Sequence, residues 1–194
     1  GTRNPGKFTE RAFTSSEFRV PSSAILQDPD NHLWGRFNPR RLAAEEVRDS
    51  MLAVAGLLDL RVGGPSVYPP IPQEVLAGQS RPGEGWPTTR GPDANRRSVF
   101  VHVKRAVQLP IMAAHDQADT DASCAVRYVT TVPTQALGLL NGEFSREQAA
   151  ALAERVGREA GADAAARVRR ALQLTTQRPP SDDEVRRDVE FVER

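Results

Sequence analysis

Little in this sequence points to covalent or metal chemistry. It holds one cysteine, Cys124, so no internal disulfide can staple the fold, and no zinc-type Cys/His spacing occurs. There is no G-x-S-x-G elbow and no phosphate-binding glycine loop, two common signatures of hydrolases and nucleotide enzymes. No apolar run, that around Val99–Val103 included, is long enough to cross a bilayer. A cationic start followed by an apolar stretch is missing too, so no signal peptide is expected on this chain. Lysine is nearly absent: Lys7 and Lys104 are the only two among 26 Lys and Arg residues. A GC-rich coding bias explains that excess of arginine better than a set of bidentate anion contacts does. An excess of one charge is also lacking. The net charge of +1 is spread along the chain, so no field of one sign recruits nucleic acid or anionic lipid.

What remains is an ordinary globular composition, with 39% hydrophobic and 26% charged residues. That is enough for a real core in 194 residues, and residues 1–194 read as one domain. "GTRNPGK" reads like the start of a fragment, the C-terminal part of a larger protein. Residues 7–18 suit a short helix with Phe8, Ala12 and Phe13 on one face, broken by Pro21. "DPDNH" at 28–32 is turn chemistry. The strongest helical pattern runs from Arg41 to Leu58, where Val47, Met51, Val54 and Leu58 form one apolar stripe. Gly63–Gly64 lies beyond it as a stop.

Residues 65–95 are dense in proline and glycine and predict a long loop of extended segments and turns, pinned by Tyr68 and Trp86. "RSVFVHVKR" (97–105) is the best strand, with Val99, Val101 and Val103 on one side. "AVRYVTT" (125–131) is its expected partner. Residues 133–194 predict a set of C-terminal helices. Pro133 suits a first turn, and Ser145 with Gln148 has capping-box spacing. Asp163 is a cap, and Ser181 with Glu184 is a second capping box. The expected fold is therefore mainly α: a helical domain with one small antiparallel β element, 98–104 against 126–131, and a long Pro/Gly-rich loop.

"HDQADTDASC" at 115–124 gathers a histidine, three aspartates and the cysteine in ten positions. Asp116, Asp119 and Asp121 are hard oxygen ligands, but the glycine and distal glutamate of a calcium loop are missing. Zinc would need His115, Cys124 and an aspartate to fold back on one another. The simpler reading is an Asp-rich connector bonded to backbone amides, with Cys124 a small buried thiol, no metal and no cofactor. Glu45 and Asp49 are paired carboxylates, for which salt bridges to Arg41 and Arg48 are the simpler account. Arg96, Arg97, Lys104 and Arg105, with Phe100 and His102 interleaved, fit a single-strand nucleic-acid platform. They fit a charge-guarded strand edge better.

Five segments in order, "DPDNHLWGRFNPRRLAAEEVRDSMLAVAGLLD", "GGPSVYPPIP", "NRRSVFVHVKR", "SCAVRYVTTVPTQALGLLN" and "TQRPPSDDEV", carry a resemblance that spans nearly the whole chain. They resemble the C-terminal domain of unknown function in planctomycete-type cytochrome-c-domain proteins. The resemblance implies a module of long exported proteins, periplasmic or extracellular, whose partners are upstream domains including a c-type cytochrome. This chain has no C-x-x-C-H haem attachment site of its own. The family usually places an aromatic where this chain has His115, which implies a packing role there and not metal ligation. It supplies no catalytic residue to carry over. The polar cluster to examine is then Arg96, Arg97, Asp116, Cys124 and Arg127, with Arg127 placed to pair with Asp116. Tyr68 and Trp86 are the candidate interaction surface, for a neighbouring domain or a polysaccharide. The functional expectation is an accessory module without catalysis of its own. The alternative is one part of a composite hydrolase or oxidoreductase site completed by upstream domains.

Overall fold

The computed structural model describes residues 28–37 and 40–194. The expected helix at 7–18 lies outside them. The chain divides into two units, Gly1–Arg40 and Arg41–Arg194. In the first, the turn chemistry expected at 28–32 is present. The Asp28 carboxylate accepts from the amides of His32 and Leu33, both at 2.8 Å. The Asn31 side chain accepts from the Arg36 amide at 3.1 Å and donates to the Arg36 carbonyl at 2.6 Å.

The second unit is helical. Its α-helices are α1 (Ala44–Ala55), α2 (Gln73–Ala77), α3 (Pro110–Ala113), α4 (Pro133–Asn141), α5 (Glu143–Ala160), α6 (Ala164–Thr176) and α7 (Asp182–Val192). Short 3-10 turns occupy Gly91–Asn95 and Ser98–Phe100. α1 packs against α3 and α5, and α4, α5, α6 and α7 follow as successive packed neighbours. The caps read from sequence act where expected at α6 and α7. The Asp163 carboxylate accepts from the Ala166 amide at 2.8 Å, and Ser181 and Glu184 bond each other's backbone reciprocally.

α1 stops at Gly56, earlier than Gly63–Gly64. Gly56 takes the left-handed conformation (φ 77), which a residue without Cβ adopts cheaply. The last carbonyls of α1 are met from α5, where the Arg155 guanidinium donates to Ala53 and Val54 at 3.1 and 2.8 Å. The buried face of α1 is Ala44, Arg48, Leu52 and Ala55, one position away from the stripe of Val47, Met51 and Val54, which is half-buried.

The Pro/Gly-rich stretch is not a loop laid over the surface. Val67, Ile71, Trp86 and Ala94 in it are buried, and all but Ala94 join Ala44, Val101, Val107, Leu109 and Met112 in one cluster. Prolines suit this role because they fix the backbone without needing an amide partner. The Trp86 indole donates to the Pro69 carbonyl at 3.0 Å and meets Tyr68 edge-on at 5.3 Å.

The expected antiparallel β element is corrected. Among the described residues no ladder joins 98–104 to 126–131. Ser98–Phe100 turns as 3-10 helix, so Val101 is buried while Val99 and Val103 face solvent. Val101 pairs with Val67 in a parallel bridge: the Val67 amide donates to Phe100 at 2.8 Å, and the His102 amide to Val67 at 2.9 Å. The Pro/Gly-rich segment has taken the position assigned to 126–131, and Pro69 and Pro70 then end the pairing by offering no donors. No helix among the described residues is long and apolar enough to cross a membrane.

Candidate functional site

The polar residues singled out from sequence do not converge. Arg96 is buried. Its guanidinium donates to the carbonyls of Pro65 (2.9 Å) and Gly63 and lies 3.9 Å over the Phe100 ring. Arg97 pairs with Asp49 at 3.6 Å, and that carboxylate also accepts from the Ser98 amide at 2.7 Å. Asp116 accepts from the amide and hydroxyl of Thr130 at 2.9 and 2.7 Å, and Arg41 stands 3.4 Å away. Arg127 does not pair with Asp116; it grips Glu45 bidentately at 2.6 and 2.9 Å. Cys124 is exposed, against the expectation of a buried thiol, because no second strand forms to bury it. Among the described residues no group of three or more His, Cys, Asp or Glu is placed to hold a metal ion.

These bonds have a structural consequence. Glu45–Arg127 and Asp116–Thr130 tie the segment around 125–132 at two points, one of them on α1. The Arg127 hydrogen bond holds the Glu45 carboxyl below its ordinary value, and the Thr130 amide and hydroxyl do the same for Asp116. Yet the segment and the helix that follows leave Val126, Tyr128, Val129, Leu137 and Leu140 largely in solvent, each more than half exposed.

Concave chemistry lies elsewhere, in a cleft of about 630 Å³. Its apolar walls come from Pro69, Pro70 and Ile71, from Leu109 and Ile111 at α3, and from Phe144 on α5. Four buried polar side chains also line it: Arg48, His115, Ser145 and Gln148. Arg48 is 1% exposed. It donates to the carbonyls of Arg96 (3.0 Å) and Ala94 (2.8 Å) and to the Ser98 hydroxyl (3.1 Å). Burial pushes its guanidinium down to about 10, with Asp49 opposing, so it is charged at neutral pH. A buried cation persists only when its donors are met by such acceptors. His115 donates from Nδ1 to the Ile111 carbonyl at 2.7 Å, since a carbonyl can only accept.

Ser145 and Gln148 differ from the other two. The helix begins at Glu143, so the expected capping pair sits inside it, three apart on one face. Both are more than nine-tenths buried, and neither the Ser145 hydroxyl nor the Gln148 carboxamide oxygen has a hydrogen-bond partner within the protein. A buried polar atom left so costs about 1–3 kcal/mol. The tight turn that delivers them depends on Gly142, because a Cβ there would collide with the Gly138 carbonyl oxygen.

Compared with known proteins, residues 9–192 match the family model described as a protein of unknown function (DUF1553). The chain belongs to that family. No curated protein and no solved structure matches it. In this DUF1553 domain one residue of the cleft is marked in the sequence itself. Arg48 falls on a helix face otherwise made of Ala44, Leu52 and Ala55, and a charge in an apolar stripe marks a buried, bonded group.

Proposed function

We propose that this DUF1553 domain is a non-catalytic interaction module that docks against upstream domains of the same exported, cytochrome-linked polypeptide. The observation carrying this reading is the run of exposed apolar side chains along 126–140, Val126, Tyr128, Val129, Leu137 and Leu140, in a segment tied down by Glu45–Arg127 and Asp116–Thr130. Large apolar side chains left in solvent in this number support a protein contact there. The link to a cytochrome and an exported protein rests on the order of the resembling segments. The alternative of a composite catalytic site has less support, since Arg96, Arg97, Asp116 and Arg127 are each engaged by internal partners. A glycan platform on Tyr68 and Trp86 is likewise less favoured, because the Trp86 ring is buried against Tyr68 and His102. Hydrogen exchange tests the proposal. Amides of 126–140 are expected to be more protected in the longer chain carrying the upstream domains than in residues 1–194 alone. Equal protection in both would refute it.

A further inference from the structure

We infer that the cleft between the proline wall and α5 is a binding site for a small, neutral molecule carrying an amide edge on an apolar body. The volume, about 630 Å³, lies within the range of small-molecule sites, which are mostly apolar with a few placed polar groups. The placed groups here are Ser145 and Gln148, residues of the lining whose side-chain oxygens have no partner and are closed to solvent, so a ligand meets them by a turn of these side chains into the cleft. A carboxamide presents an acceptor beside a donor, and its complement is a donor beside an acceptor. Primary amides and lactams have that edge, and the Ser145 hydroxyl one turn away can satisfy a further lone pair or N–H. An anion finds little here. The Arg48 guanidinium that would attract it already serves three oxygens, the Gln148 oxygen only accepts, and Glu143 and Glu147 outnumber Arg90 among the exposed charged residues of the lining. An apolar molecule without donors would leave both polar groups as they are.

The test follows amide resonances of the 194-residue chain during titration with three probes of one shape: benzamide, benzoate and N,N-dimethylbenzamide. Benzamide is expected to shift the amides of Phe144, Ser145 and Gln148, with the other two at least about tenfold weaker. Gln148→Met should fold, because the carboxamide makes no bond to lose, and should bring benzamide down to the level of the controls. Ser145→Ala is the second variant, expected to weaken benzamide. Equal binding of all three probes, undiminished benzamide binding in both variants, or no shift up to the solubility limit would each overturn the assignment.

Discussion

Two arginines meet inside this domain through one main-chain atom: Nη1 of Arg48 bonds the carbonyl oxygen of Arg96 at 3.0 Å. The side chain of Arg96 then reaches outward to the Pro65 and Gly63 carbonyls. Two stretches outside the α-helices, 61–65 and 94–98, are thereby held to α1 by guanidinium groups. Where strands would satisfy carbonyls with backbone amides, this fold uses arginine forks, whose several donors in one plane suit scattered acceptors.

Arg48→Met is therefore expected to be severe. It fills similar space but leaves the oxygens of Ala94, Arg96 and Ser98 without a donor. The expected loss is about 3–5 kcal/mol, the usual cost of breaking a buried charged network. Urea unfolding followed by circular dichroism measures it; a loss under about 1 kcal/mol would contradict the role given to Arg48.

Gly142→Ala tests the turn between α4 and α5. The backbone there has φ −64, which alanine adopts without strain, so any cost must come from the clash with Gly138. Overpacking of this kind costs about 1–3 kcal/mol. The same unfolding measurement checks it, and an unchanged or raised stability would mean the turn has room that the geometry denies.

How far the fold was legible in sequence follows from where the stabilising bonds lie. Local signals sufficed for α6 and α7, whose caps Asp163, Ser181 and Glu184 lie within three residues of the groups they satisfy. The β-branched run at 97–105 misled because Val101 pairs with Val67, 34 positions earlier, and no local pattern records that choice. Nor does spacing say that Arg127 would choose Glu45, 82 residues away, over Asp116. Ser145 and Gln148 had the right spacing for a cap, and only the start of the helix two residues earlier turns them inward.

Cys124 is free and exposed, and its thiol donates to the Val126 carbonyl at 3.4 Å. It should react fully with Ellman's reagent in the native protein, at a rate that denaturant raises by less than about tenfold, since exposure controls access to the thiolate. Reaction only after unfolding would restore the buried thiol that the sequence had suggested.

The tether at Thr130 should respond to acid with a defined sign. Asp116 is held below its ordinary value of 3.8 chiefly by the Thr130 amide and hydroxyl, and Glu45 below 4.5 chiefly by the Arg127 hydrogen bond. For a carboxyl whose folded value is depressed, the stabilisation is fully present above the unfolded value and is lost as pH falls through the folded one. No change is therefore expected between pH 7 and about 5, followed by loosening of 125–132 below 3.8. The Thr130 amide resonance reports it directly: it should move upfield with a midpoint under 3.8, as its carboxylate acceptor is protonated. In Asp116→Asn the side-chain oxygen still accepts but does not titrate, so that step should vanish while the rest of the spectrum is kept. A midpoint at or above the ordinary aspartate value, or a step surviving in Asp116→Asn, would show that Asp116 does not hold the segment.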